Sequence, residues 1–329
     1  MLVLSASDQR QAAGMNDVIN AVATALKESS AGRTESPIRT SIPVPPANGV
    51  ALFMPSMVPA ADSLGMKVVS VFPDNPSIGK PSIHALVVLA DTATGEPLAL
   101  LEGSSLTVRR TGAVVGLAAE HLARRDAKVL TVIGTGAQAR GVVEAVLAVR
   151  NIEEVRLFNR TAVKAEEFAE QLRAGLMSKA GRVSVATRAQ QATDGADIVV
   201  TATNSAQPVF DARHIGPGTA VCGIGSFTPT MQELPTDLMQ RAGKIVVESN
   251  EAALAEAGDL IIPMQSGALG QDRIYAELGE IAAGKKPGRT NDEEITVFKS
   301  VGLAAMDVVV AKQIYDRALA ASLGQHVEL

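Results

Sequence analysis

The stretch KVLTVIGTGAQA, residues 128–139, constrains this chain more than any other. Val129 to Ile133 is an apolar run suited to a buried strand. It stops at Gly134-Thr135-Gly136, and Ala137-Gln138-Ala139 then opens a helical pattern. Strand, glycine turn and helix in that order begin a βαβ unit that binds a dinucleotide. Gly134 permits the tight turn, Gly136 leaves bare backbone for a pyrophosphate, and Ala139 lets helix and strand pack closely. The helix start adds unpaired N–H groups and a partial positive charge. Gly134, Thr135, Gly136, Ala137 and Gln138 are therefore predicted to line a cofactor.

The next apolar run, Val155–Phe158, supplies a second strand. It ends at Asn159-Arg160-Thr161, about twenty residues beyond the turn, where an NAD site carries an acid for the ribose hydroxyls. Here an amide, a cation and a hydroxyl stand instead. That trio suits a 2′-phosphate, so Asn159, Arg160 and Thr161 predict NADPH, with NADH as the second choice. The competing reading is a dinucleotide fold that has lost its ligand, with Arg160 a solvated charge.

Strand patterns alternate with helical ones from Val129–Ile133 through Val155–Phe158, Val183–Ala186, Ile198–Thr201, Ala220–Ile224 and Ile245–Glu248. This predicts a doubly wound parallel sheet. Thr203 and Asn204, just past one strand, are expected near the cofactor because ligands sit at the carboxyl ends of such strands. The first third reads differently. A helix over 16–31 opens at Asn16 or Asp17, and a Pro-rich extended stretch covers 37–49. Strand runs follow at 50–54, 65–72, 83–91 and 97–102, with a Thr94-Gly95 hairpin turn. These predict a mostly antiparallel sheet. From about residue 111 a helix carries Val114, Leu117, Ala118, His121 and Leu122 on one face. A last helical stretch, 301–323, does not continue the alternation and is expected to pack back on the first domain. The fold class is thus α/β. A Rossmann domain over 113–300 joins a discontinuous α+β domain built from 1–112 and 301–329.

With 329 residues the chain can bury two cores. The net charge of −5 and the lack of a basic block argue against nucleic acid and anionic membranes as partners. A lone cysteine, Cys222, excludes an internal disulfide and suits a reducing compartment. The four histidines and this cysteine form no cluster with metal spacing, so no metal is expected. Met1-Leu2-Val3-Leu4 meets Asp8-Gln9-Arg10-Gln11 at once, unlike a signal peptide. No apolar run reaches the about 18 residues of a membrane span. A cytoplasmic protein is expected.

Two cations stand out. Lys67 interrupts the apolar strand GMKVVSVF, on the face of Val69 and Val71, where a charge is costly unless paired. It either faces inward or marks an edge strand. Arg110 lies just before the expected helix start, beside Thr111, which is assigned to the cofactor side. An arginine fork there can take a carboxylate bidentately. Arg109 is expected at the surface, and His84 in a structural role.

With these pieces in hand, the chain resembles the ornithine cyclodeaminase/μ-crystallin family over nearly its whole length. The resemblance rests on the glycine turn, Asn159-Arg160-Thr161 and the segment SLTVRRTGA from Ser105 to Ala113. Met54-Pro55, GMKVV from Gly65, DTATGEPL from Asp91, ADIV from Ala196 and KSVG from Lys299 add to it. It implies a homodimer joined through the N-terminal sheet, a substrate pocket between the domains, and chemistry on amino acids or cyclic imines. It implies that Arg39, Lys67 and Arg110 hold the substrate carboxylate, with Lys67 the candidate proton carrier, and that Ser300 and Gly302 line the nicotinamide end.

Two departures narrow the chemistry. Cyclodeaminase members carry an aspartate where Phe227 stands and a glutamate where Leu52 stands. Neither replacement can move a proton or bind an ammonium. The resemblance therefore implies a ketimine reductase that makes L-proline from Δ1-pyrroline-2-carboxylate, with L-pipecolate from the six-membered analogue as a second product. Alanine dehydrogenase, ornithine cyclodeaminase and a non-catalytic ligand-binding protein are the alternatives.

Overall fold

The computed structural model describes residues 1–178 and 181–328. The chain divides into two compact units, Met1–Arg110 with the segment from Leu303 on, and Thr111–Gly302.

The first unit is a seven-stranded sheet covered by helices. Its strands are β1 (Leu2–Leu4), β2 (Thr40–Val44), β3 (Gly49–Val58), β4 (Ser63–Val71), β5 (Ile83–Ala90), β6 (Pro97–Glu102) and a two-residue strand, Gln325–His326. From β2 to β6 consecutive strands pair antiparallel, while β1 joins β6 in parallel. The Pro-rich stretch expected to be merely extended contains β2. Pro43 is tolerated there because β2 lies at the sheet edge.

Register decides which side chains meet. Leu52 lies opposite Val69, which lies opposite Ala85; Met54 lies opposite Lys67, which lies opposite Val87. Cross-strand partners share a face, so Lys67 sits amid an apolar patch. The C-terminal helix Ala304–Ala320 packs on β3, β4 and β5 over this patch. Two further helices, α1 (Ala6–Ala12) and α2 (Met15–Ser30), pack against that helix. The helix expected to open at Asn16 or Asp17 starts earlier, because Asp17 reaches back and accepts the Gly14 N–H at 2.9 Å. The opposite sheet face carries Ile42, Phe53, Met66, Val68, Leu86 and Val88, with Ile42 and Leu86 50% and 48% exposed.

Helix α3 runs from Gly103 to Leu122 and crosses the boundary between the units. It begins well before residue 111, because Glu102 accepts the N–H groups of Ser104 (2.8 Å) and Ser105 (2.7 Å) and caps it. Residues 111–119 are all buried, so the single apolar face read from the sequence is a helix covered on nearly every side, with His121 only partly buried. A side chain on Gly112 would collide with the Gly141 backbone, which explains a glycine inside that helix.

The second unit is an eight-stranded sheet. Its strands are β7 (Val129–Ile133), β8 (Glu154–Phe158), β9 (Arg182–Val185), β10 (Ile198–Thr201), β11 (Ala220–Gly223), β12 (Lys244–Val247), β13 (Ile274–Glu277) and β14 (Thr296–Lys299). All pair in parallel, in the order β13-β12-β14-β11-β10-β7-β8-β9. The chain leaves β7 toward β8 and β9, then returns to its other side with β10. That reversal is the switch point where doubly wound folds bind ligands. Helix α4 (Ala139–Val149) follows β7, and α5 (Ala162–Ala174) follows β8. No helix among the described residues is long and apolar enough to cross a membrane.

Candidate active site

The first unit builds a charged cluster inside its core. Because β4 lies between β3 and β5, Lys67 cannot be an edge lysine. It is 2% exposed, and its Nζ lies 2.7 Å from Oδ2 of Asp307, which is 0% exposed. Arg110 is also buried, and its Nε donates to Oδ1 of the same carboxylate at 2.9 Å. Arg110 sits inside α3, not ahead of its start, so a formed helix fixes its backbone. Bonding through Nε leaves both Nη groups for another acceptor. Arg39 is half-buried just before β2.

Electrostatics give this cluster a sign. Burial pushes the Lys67 pKa down and Asp307 pushes it up. Arg110 and Arg39 oppose protonation, and the balance is a pKa of about 8. Burial works to raise the Asp307 pKa, but Arg110 and Lys67 outweigh it and hold the carboxyl below its ordinary range. Lys67 and Arg110 share one carboxylate, so the protonated pair carries one positive charge in excess of it. Buried excess charge is costly unless an anion arrives. Sequence reasoning missed Asp307. The available signal was a lone acid within the apolar run AAMDVVVA, which forces either exposure or a buried partner.

Arg109, expected at the surface, is 6% exposed. Its Nη1 donates to the Gln9 carbonyl at 2.7 Å and its Nη2 to that of Ala13, so it fastens α3 to α1. His84 is exposed on the outer sheet face.

The second unit presents the glycine turn at the carboxyl end of β7. Gly134 has φ +96°, and a Cβ there would stand 2.5 Å from the Ala202 carbonyl. Its N–H donates to the Phe158 carbonyl at 2.8 Å. A Cβ on Gly136 would meet nothing within 4 Å, so its backbone is open. The Thr135 N–H donates to Oδ1 of Asn159 at 3.3 Å, and Nδ2 of Asn159 donates to the Thr161 carbonyl at 3.0 Å. Asn159 thus laces the turn to the end of β8. Gln138 stands at the N-cap of α4 and makes no side-chain cap. Thr135 Oγ1 and Gln138 Oε1 are buried without a partner among the described residues. Open backbone, an uncapped helix start and two orphaned oxygens fit the phosphates and sugars of a dinucleotide.

Arg160 is exposed and makes no ion pair among the described residues, and Thr161 does not use its hydroxyl to cap α5. Thr203 donates its hydroxyl to buried Glu233 at 2.8 Å, Asn204 is exposed, and Thr111 is buried within α3. The Ser300 hydroxyl donates to Glu248 at 2.6 Å. The same carboxylate takes the N–H groups of Val301 and Gly302. Cys222 lies inside β11, where burial pushes its thiol up to about 12 and leaves it unreactive. Leu52 is buried with Met54 and Val69, and Phe227 packs partly buried against the core of the second unit. Neither position offers a titratable group.

A doubly wound sheet with this glycine turn, together with a unit that buries a carboxylate-bridged cation pair, defines a Rossmann-type dinucleotide-binding protein. The chain belongs to the ornithine cyclodeaminase/mu-crystallin family, whose model matches residues 1–322. It is similar to a Delta(1)-pyrroline-2-carboxylate reductase of Bacillus cereus, 51% identical over 328 residues and covering 100% of both chains. Among solved structures it is similar to the Thermococcus litoralis Delta(1)-pyrroline-2-carboxylate reductase in complex with NADH and L-proline. That match has a TM-score of 0.95, 41% identity, and covers 99% of this chain and 100% of the other. An archaeal alanine dehydrogenase dimer with bound NAD matches with a TM-score of 0.92 and 33% identity, over 100% of this chain and 99% of the other.

Proposed function

We propose that the protein reduces Δ1-pyrroline-2-carboxylate to L-proline with a nicotinamide dinucleotide, and takes the six-membered cyclic imine as a second substrate. The observation that carries this reading is the buried Lys67–Asp307–Arg110 cluster with its excess positive charge. Full-length similarity to pyrroline-2-carboxylate reductases supports the choice of substrate.

When bound, the dinucleotide supplies the hydride. Arg110 takes the substrate carboxylate on its Nη groups, and Arg39 adds charge from beside β2. Asp307 fixes Arg110 and Lys67 relative to each other. Lys67, with a pKa of about 8, is largely protonated at neutral pH and gives a proton to the imine nitrogen. An iminium carbon next to a carboxylate accepts hydride readily, so orientation and exclusion of water are the main demands on the protein. Leu52 and Phe227 stand where a cyclodeaminase needs acids, which favours reduction over deamination.

Gly134 to Gln138 hold the pyrophosphate, and Thr203, Asn204, Ser300 and Thr111 belong to the nicotinamide side. Arg160, exposed at the end of β8, takes a 2′-phosphate and gives NADPH preference over NADH. The apolar outer face of the first unit's sheet, with Ile42 and Leu86 half exposed, is covered by a second copy in a homodimer. The test is oxidation of NADPH and NADH by the purified protein with Δ1-pyrroline-2-carboxylate. Turnover confined to pyruvate and ammonia would replace this reading with an alanine dehydrogenase.

A further inference from the structure

Within the second unit Glu233, Asp259 and Lys299, each 0% exposed, form one linked cluster that the mechanism above does not use. Charges that deep persist only when fully bonded. Glu233 meets that condition in a particular way. Its Oε1 accepts the N–H of Thr203 at 2.6 Å and the Thr203 hydroxyl at 2.8 Å. Its Oε2 accepts the N–H groups of Gly225 (2.7 Å) and Ser226 (2.8 Å). One carboxylate therefore binds the loop after β10 with one oxygen and the loop after β11 with the other.

The remaining groups hold Glu233 in place. Oδ1 of Asp259, in the helix Gly258–Gln265, accepts the N–H of Glu233 at 2.7 Å and of Leu234 at 2.8 Å. Its Oδ2 pairs with Lys299 Nζ at 2.9 Å and takes the Ser226 hydroxyl. Lys299, the last residue of β14, also donates to the Ser226 carbonyl at 2.7 Å. There is no room for slack. A Cβ on Gly225 would collide with the Thr203 backbone and lie 2.7 Å from Glu233 Oε1.

The fold says what these loops face. In a doubly wound sheet the adenosine ribose lies at the end of the second strand, here β8, and the pyrophosphate at the glycine turn after β7. The dinucleotide then continues across the switch point toward the ends of β10 and β11. We propose that Glu233 is a positioning residue for the nicotinamide half of the cofactor, setting the spacing of the Thr203 and Gly225-Ser226 loops against which that ring lies. The proposal rests on the dinucleotide reading given above.

Glu233→Gln tests it, because an amide NH2 would oppose one of the two donor pairs and release one loop. The measurements are direct NADPH titration, the single-turnover rate of hydride transfer at saturating cofactor and imine, and Tm. A ring misplaced by about 1 Å costs roughly 10²-fold in rate. The expected result is a single-turnover rate lower by about tenfold or more, with NADPH affinity nearly kept because the phosphate and adenosine contacts are untouched. Thr203→Val removes only the hydroxyl donor and should move the rate the same way by less. A lower Tm with a wild-type rate in the folded enzyme would overturn the proposal. If Glu233→Gln does not fold, Thr203→Val decides, and a wild-type rate there overturns it equally. Wild-type protein that neither binds a dinucleotide nor reduces the imine would instead overturn the reading beneath it.

Discussion

Replacing Asp307 by asparagine removes the one negative charge shared by Lys67 and Arg110 while keeping the shape of the side chain. At the 2.7 Å and 2.9 Å separations seen here, each ion pair is intimate. At an effective dielectric near 20 Coulomb attraction is worth about 4 kcal/mol even at about 4 Å, and more at these shorter contacts. Arg110 cannot shed its charge, so Lys67 must respond. Its pKa is already pushed down to about 8, and Asp307 is what holds it up. Without that carboxylate it falls further, and Lys67 becomes neutral near pH 7. A free energy of about 1.4 kcal/mol moves a pKa by one, so even a third of the lost attraction lowers that of Lys67 by about one. If protonated Lys67 is required, kcat/KM of the wild type declines as pH rises through about 8. In Asp307→Asn this limb should move to lower pH by about one pH unit or more. The assay is kcat/KM for imine reduction across the pH range, with Tm recorded at each pH. An unmoved limb and near-wild-type activity would refute the claim that Asp307 governs the cluster.

Three further outcomes are expected. Arg110→Ala should lose roughly two to three orders of magnitude in kcat/KM, about 3–4 kcal/mol, and Arg110→Lys should recover little because an ammonium cannot form the fork; steady-state kinetics beside NADPH titration checks both. Arg160→Ala should raise the KM for NADPH and leave that for NADH nearly unchanged, which parallel titrations with the two cofactors read out. Lys67 has a folded pKa near 8 against 10.5 when free, so the unfolded chain binds more protons between those values. Its burial therefore destabilises the fold fully below pH 8 and is relieved as pH rises toward 10.5, by about 3 kcal/mol. Lys67→Met should flatten that part of the stability profile in denaturant titrations.

The parts of this fold that were legible in the sequence are those where one local pattern has one physical solution. The apolar strand, glycine pair and helix at 129–139 admit only a βαβ opening, and the structure has it there. The inward face of Lys67 was half legible, since alternation gives the face but not whether β4 is central. Other features depend on partners far away in the chain. Arg109 reads as a surface residue until α1 brings the Gln9 and Ala13 carbonyls to it. Asp307 is separated from Lys67 by 240 residues, and only the return of the C-terminal helix onto β4 joins them. Strands β13 and β14 escaped the reading because each ends on a charged residue, Glu277 or Lys299, and lacks the unbroken apolar β-branched run that marks β10. The early start of α3 was hidden because its cap, Glu102, is also the last residue of β6.

The most direct test of the central claim is dinucleotide oxidation by the purified wild-type protein with a substrate panel. Δ1-Pyrroline-2-carboxylate, its six-membered analogue, and pyruvate with ammonia are each offered with NADPH and with NADH, and L-ornithine is offered with NAD. The account predicts rapid oxidation with the cyclic imines, formation of L-proline from the five-membered one, and no ammonia release from L-ornithine. Turnover only with pyruvate and ammonia, or ammonia release from L-ornithine at a rate matching imine reduction, would contradict it.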